Sequence, residues 1–377
     1  MLLAESCTRT ARHRQALRWL TRGIHELGVG DAPSGDPEVD ALAGELCMQY
    51  ANVRLQLGQP AETMSWAARA ISLAEHAGSR RGVAGGYQLR AMARLAGGDF
   101  ESDADGLAAL AIWQELDNTL GQAMTLNNLG ARSYYLGGWN EALRFYEQAR
   151  ALHERGGNLL DGAMCSENMA EILADQGHLS EAEAMTRQAL RVFVGSATPS
   201  FVAAANAQLG LIAMRAGRHD EARGLLESAR RQFEQAGEPG GVVQVDCRRA
   251  ELLLCTGSPA EAVALVEATL PSAGPGTAGL PYLPALHRIQ GLALADTDGA
   301  AAAAALERSL YVARALGAEH DIALSLDALL GTAPAAPDPE RVAERDALWD
   351  KLGLARARSV AFVDEAYLYR RYQRDPT

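Results

Sequence analysis

Six polar side chains return at a strict 40-residue step: Gln88, Asn128, Asn168, Gln208, Arg248 and Arg288. An amide donates and accepts hydrogen bonds at once, so a ladder of Gln and Asn suits the N–H and C=O groups of an extended peptide. Arg248 and Arg288 add planar cations that suit an acidic ligand group. The competing reading is structural: Asn and Gln at this position bond neighbouring helices and serve the fold. Both readings stay open for Asn128 and Asn168.

Other chemistry finds no support. Gly274-x-Gly276-x-x-Gly279 matches a dinucleotide fingerprint, but no strand precedes it, and Pro275 and Pro281 make it a loop. Asp296 and Asp298 lack the rest of a calcium loop and read as acids at a helix start. There is no His-Glu-x-x-His and no Gly-x-Ser-x-Gly. Lys351 is the only lysine, which removes a phosphate-binding P-loop. The five cysteines, Cys7, Cys47, Cys165, Cys247 and Cys255, have no Cys-x-x-Cys spacing, so neither a disulfide framework nor a zinc site is indicated. The chain is expected to be no enzyme and to carry no cofactor and no metal.

Composition narrows the partners. A formal net charge of −12 argues against nucleic acid, whose phosphates need a basic surface. The pairs Arg80-Arg81, Arg230-Arg231 and Arg248-Arg249 are isolated and read as solvated helix faces. No signal peptide and no apolar run of membrane-spanning length is present, and reduced thiols fit a cytoplasmic protein. Arginine in place of lysine, with abundant alanine, looks like the codon bias of a GC-rich bacterial genome.

The elements that must position the ladder come from a repeat. Gly137, Gly177, Gly217 and Gly257 each stand five residues before an alanine, namely Ala142, Ala182, Ala222 and Ala262. A glutamate precedes each alanine: Glu141, Glu181, Glu221 and Glu261. The glycine ends a first helix and the glutamate sits in the first turn of a second, where negative charge suits the helix dipole. Gly130, Ala170, Gly210 and Ala250 fall where a larger side chain would push helices apart. A fixed period of this size marks a solenoid, in which each unit buries its apolar face against its neighbours.

Seven units are expected, at roughly 44–83, 83–122, 123–162, 163–202, 203–242, 243–282 and 283–322. Residues 1–27 contain only the second helix of a unit, with Ala16, Leu20 and Gly23 on its packed rows. The chain is thus expected to begin inside a repeat, as the carboxy-terminal part of a longer protein would. Residues 323–377 are expected to form capping helices and a tail. That tail, Ser359–Arg374, is read as a terminal helix over the last unit, with docking to another chain as the alternative.

The run Asn128-Leu129-Gly130, with Ala142, Tyr146 and Ala149, resembles the tetratricopeptide repeat. The resemblance implies an all-α fold: a superhelical solenoid of antiparallel helix pairs. The family's usual unit is 34 residues, and the extra length here is placed near the connection Arg155–Gly162. The longer unit is similar to repeats in bacterial peptide-sensing regulators and in large bacterial signalling ATPases. In this family the polar row faces a concave groove, and its asparagine holds a peptide backbone. The implied groove is Gln88, Asn127, Asn128, Tyr134, Tyr135, Asn168, Gln208, Arg248 and Arg288. The implied function is a non-catalytic module for protein or peptide partners, as the regulatory carboxy-terminal region of a multidomain bacterial signalling protein. A free-standing adaptor or peptide receptor is the alternative.

Overall fold

The computed structural model describes residues 13–354, apart from 29, 31, 98, 100, 101, 275, 276, 278 and 333–337. All regular structure among the described residues is helical, as the three- and four-residue spacing of apolar positions requires. A lone helix α1, His13–Glu26, comes first. Eight helix pairs follow: α2 Pro37–Gln56 with α3 Pro60–His76; α4 Arg80–Ala96 with α5 Ala104–Glu115; α6 Thr119–Tyr135 with α7 Trp139–Arg155; α8 Leu159–Asp175 with α9 Leu179–Gly195; α10 Pro199–Arg215 with α11 His219–Ala236; α12 Pro239–Cys255 with α13 Pro259–Thr269; α14 Leu283–Leu294 with α15 Gly299–Leu316; and α16 Glu319–Thr332 with α17 Pro339–Leu352. The tail Ser359–Arg374 lies outside the described residues.

The pairs begin at residues 119, 159, 199 and 239, four residues ahead of the boundaries expected from the sequence. Each first helix starts before its first diagnostic apolar position. The segment expected to hold capping helices from 323 carries a further helix pair, which opens at Glu319. The helices from α6 to α12 are 17 or 18 residues long. Turns of two or three residues join them. The extra length over the usual unit therefore lies in the helices. This corrects its placement at 155–162: Gly156 and Gly157 already complete the turn, and Leu159 begins α8.

The turns follow a shorter step than the sequence shows. Gly137, Gly157, Gly177, Gly217, Gly237 and Gly257 all have φ between 68° and 84°. Asp117 at 49° and Ala197 at 52° adopt the same left-handed conformation. A turn thus falls every 20 residues from 117 to 257. Asp117 and Ala197 hide that half-period, because the glycine row is broken where they stand. A side chain in this conformation costs roughly 1–2 kcal/mol, which six of the eight turns avoid by using glycine.

Small residues let the helices meet. Ala142, Ala182, Ala222 and Ala262 are fully buried, as the repeat required. On α1, Ala16, Leu20 and Ile24 are buried against α2. A Cβ on Gly130 would lie 2.8 Å from the Tyr146 ring, and one on Gly210 would lie 2.8 Å from Leu226.

The contacts divide the chain into two compact units. One takes in residues up to 132 together with 144–158, and the other takes in 133–143 together with residues from 159 onward. In the first, α2 also touches α4, the first helix of the next pair. In the second, α8, α10, α12, α14 and α16 touch in succession. Their shared side makes one continuous inner wall.

The second unit also closes on itself. Lys351 Nζ donates to the Leu136 carbonyl at 3.0 Å and pairs with Glu319 at 2.6 Å. Gln176 Nε2 donates to the Leu352 carbonyl at 3.0 Å. Beside this clasp the buried Trp139 stacks on Tyr134, with centroids 5.9 Å apart and planes 7° apart. The His320 ring meets Trp139 edge-on at 5.0 Å.

Candidate functional site

The nine residues expected to line a groove fall in both units. Gln88, Asn127 and Asn128 belong to the first, and the other six to the second. Each group is described within its own unit.

In the first unit, Gln88 serves the fold. Its side chain is buried, and Oε1 accepts from Trp113 Nε1 at 3.2 Å and from the Thr125 hydroxyl at 3.5 Å. Those bonds tie α4, α5 and α6 together. Asn128 is half-buried and lines a small pocket with Gln88, Arg94, Asp103 and Arg132. Asn127, one position earlier on α6, is also half-buried. The charges around the pocket are internally matched: Arg94 meets Asp99 at 2.8 Å, and Arg132 meets Asp103 at 3.6 Å.

In the second unit, the ladder residues stand among many more charges. Helix α8 presents Glu167, Glu171 and Asp175 at four-residue spacing, hence on one face. Helix α10 adds Gln208 and Arg215, α12 adds Cys247, Arg248 and Glu251, and α14 adds Arg288. Tyr134 and Tyr135 come from the end of α6, and Tyr282 from the turn before α14. His320 and Asp321 come from α16. Asn168 is half-buried on α8.

The pairings are specific. Arg215 meets Asp175 at 2.5 Å, and His320 Nδ1 lies 3.8 Å from the same carboxylate. Arg288 meets Asp321 at 2.9 Å. Arg248 Nη2 donates to Gln208 Oε1 at 3.1 Å and lies 3.9 Å from Glu171. Arg248 Nη1 and Gln208 Nε2 are buried with no hydrogen-bond partner. Arg288, which suits an acidic ligand by type, is therefore occupied by Asp321, whereas Arg248 keeps a free donor.

The electrostatics follow from enclosure. Five carboxyl groups, Glu167, Glu171, Asp175, Glu251 and Asp321, face three guanidinium groups, Arg215, Arg248 and Arg288. Burial opposes the charge on Asp175, but Arg215 and then His320 outweigh it and hold its carboxyl below the ordinary value. Burial raises Glu171, with Arg248 pulling the other way. It also raises Glu251 against the pull of Arg288. Glu167 is pushed up to about 8, first by burial and then by Glu171, against Arg248. Burial raises the phenols of Tyr134, Tyr135 and Tyr282 and pushes the Cys247 thiol up to about 12, so none of them is a nucleophile near neutral pH. Burial also lowers His320, opposed by Asp175.

Glu171 nonetheless keeps 39% of its side chain in contact with solvent. A group both wetted and desolvated lies on the wall of a deep recess, where water enters but protein surrounds it. Such a wall can hold cations and hydrogen-bonding groups with little screening.

The raised Glu167 makes a testable penalty. Between its ordinary value of 4.5 and about 8, the folded chain holds a proton that the unfolded chain has lost. Stability must therefore fall as pH rises through that window. Glu167→Gln should be more stable than wild type at pH 8 by ~1–2 kcal/mol, after discounting for solvent screening. Near pH 4 the two should melt together. Melting curves at both pH values check this, and an unchanged difference between them would remove Glu167 from the recess.

Glu171, Glu251, Tyr282, His320 and Asp321 were not among the sequence candidates. For Glu171 a signal existed, since it stands four residues from both Glu167 and Asp175. Glu251 carries the same signal, two 40-residue steps after Glu171, whereas Tyr282, His320 and Asp321 meet the site through the fold and leave no periodic trace.

Among the described residues no group of three or more His, Cys, Asp or Glu could hold a metal ion, and no helix is long and apolar enough to cross a membrane.

Comparisons with known proteins agree with this architecture. The family model of the tetratricopeptide repeat matches residues 122–156, which span most of α6 and α7. Among solved structures, a Rap protein complexed with competence and sporulation factor is 16% identical, with a TM-score of 0.59 over 93% of this chain and 94% of that one. A Rap conjugation gene regulator in complex with a Phr peptide is 14% identical, with a TM-score of 0.54 over 88% of this chain and 96% of that one. At such identities the likeness is one of fold. A comparison with curated proteins finds no match.

Proposed function

We propose that this stack of helix pairs, whose segment 122–156 matches the tetratricopeptide-repeat model, binds a peptide along the inner wall of its second unit and works as a non-catalytic regulator. The observation that carries this reading is the recess itself. Five carboxyl groups, three guanidinium groups and the ladder side chains of the second unit share one wetted but enclosed wall. A protein keeps so many charges out of bulk water at a cost to stability, and ligand binding is the common return. Peptide backbone groups fit the amides, and charged peptide ends or side chains fit the rest. The two Rap structures, solved with a factor and with a peptide, favour a peptide receptor as the setting. A regulatory module within a multidomain bacterial signalling protein would use the same wall.

The test uses the whole chain and a synthetic pool of random pentapeptides. Peptides retained by wild type are identified, remade singly and titrated calorimetrically. Asn168→Ala should weaken binding by about twofold to tenfold, at ~0.5–1.5 kcal/mol for the lost amide contact, with the melting temperature unchanged. If melting falls first and binding follows it, Asn168 is structural. If no pentapeptide is retained by the folded chain, the peptide reading is wrong.

A further inference from the structure

We infer that the recess around Arg248 reads the free amino terminus of a peptide. This deepens the peptide-binding reading above and rests on it.

Two buried donors lack acceptors at this point. Gln208 is only 3% exposed and Arg248 only 9%. Gln208 Nε2 and Arg248 Nη1 have no hydrogen-bond partner, although Arg248 Nη2 already bonds to Gln208 Oε1. A buried donor left unpaired costs about 1–3 kcal/mol, so a native chain keeps one where something arrives to accept it. The two groups sit on neighbouring first helices, α10 and α12, and are held together by that bond. They can therefore converge on one carbonyl oxygen.

Acceptors in excess stand next to these donors. Glu171 lies 3.9 Å from Arg248, and Glu167 stands one turn earlier on the same face of α8. Arg248 is the sole guanidinium that lowers Glu167, and Glu171 raises it, so these two carboxyl groups share one cation. Glu171 also feels Asp175, whose own partner is Arg215. A positive charge arriving there would favour the ionised form of Glu167 as well as that of Glu171.

A single chemical group offers both features at the right separation. At the free end of a peptide, the ammonium nitrogen and the first carbonyl oxygen are roughly 3 Å apart, as bond lengths dictate. Arg248 and Glu171 are direct neighbours, 3.9 Å apart, so donor and acceptor stand side by side on the wall. The ammonium would lie against Glu167 and Glu171, and the carbonyl would accept from Arg248 Nη1 and Gln208 Nε2. A lysine or arginine side chain would satisfy the carboxylates but would bring no carbonyl at that distance. A free carboxylate would satisfy the donors but would meet two acids.

The experiment compares two pentapeptide pools of the same random composition, one with free amino termini and one N-acetylated. Each is incubated with the whole chain, and retained peptides are counted by native mass spectrometry. Retention from the free pool should exceed that from the acetylated pool at least tenfold. Glu171→Gln and Arg248→Met should each bring the ratio to within threefold of one. Circular dichroism and melting confirm the fold of each variant, and Glu167→Gln serves as a second, milder probe that should reduce the ratio in the same direction. Equal retention from both pools overturns the inference and leaves the peptide reading intact. Retention that follows lysine or arginine content regardless of acetylation also overturns it, and puts a side-chain cation in the recess. Retention from neither pool overturns both readings.

Discussion

Arg215→Ala should cost the second unit about 3–5 kcal/mol, the usual penalty for stranding one member of a buried ion pair. Arg215 is 13% exposed at its side chain and meets Asp175, which is 6% exposed, at 2.5 Å. Removing the guanidinium leaves Asp175 with His320 at 3.8 Å and the field of Arg248, and His320 is itself lowered by burial and so is a poor source of charge. Arg215 also supports Glu171 and Glu251, so three acids lose a counter-charge together. The sign with pH follows from Asp175, whose folded value is depressed. Its stabilising contribution is complete above the ordinary carboxylate range and is lost as pH falls through the folded value. The deficit of Arg215→Ala should therefore be largest near neutral pH and should shrink in acid. Chemical denaturation at pH 7 and pH 3 checks both parts. Equal stability of variant and wild type at pH 7 would show that the pair is solvated. Replacing both partners, Arg215→Leu with Asp175→Leu, should recover much of the loss, because no charge is then stranded.

Gly210→Leu should destabilise by ~1–3 kcal/mol, or more if the helices cannot move apart. A Cβ alone would approach Leu226 to 2.8 Å and the Ala222 carbonyl to 3.6 Å, before any further atom is added. Gly130→Leu should behave alike in the first unit, since its Cβ would lie 2.8 Å from the Tyr146 ring. Gly217→Ala is the informative control. Nothing lies within 4 Å of its would-be Cβ, but its φ is 75°. It should lose only the backbone term, roughly 1 kcal/mol. Thermal melts of the three variants separate crowding from backbone strain. If Gly210→Leu melts no lower than Gly217→Ala, the close approach of α10 and α11 is wrong.

The rows that position these glycines were legible because a stack reuses one solution. Wherever α7 meets its neighbours the chain needs Ala142, and wherever α9 does so it needs Ala182. The half-period was not legible, because Ala197 and Asp117 adopt a glycine-like backbone without being glycine. The ladder was legible as a spacing but not as a set of roles. Gln88 holds Trp113, Arg288 holds Asp321, and Arg248 keeps a donor free; yet all three occupy the same register position. What decides between them is the residue across the wall. Asp321 stands 33 positions after Arg288, a distance that matches no repeat step. Asp321 was hidden for the same reason, since it becomes a neighbour of the ladder only when the first helices touch, whereas Glu251 stands one turn from Arg248 on α12.

The clasp at Lys351 changes how this half of the chain can come apart. In an open stack each repeat holds only its neighbours, so the last one can fray without disturbing the rest. Here a bond joins positions 215 residues apart, and a second ties Gln176 to Leu352. The terminal pair then has two partners instead of one, and its fraying must break both. Closing so long a loop adds little entropic cost over a shorter one, since each doubling of length costs only ~0.6 kcal/mol. The terminal pair is thereby tied back to the start of the unit, and residues 133–143 with 159–354 should melt as one cooperative block, with α17 no softer to hydrogen exchange than the middle.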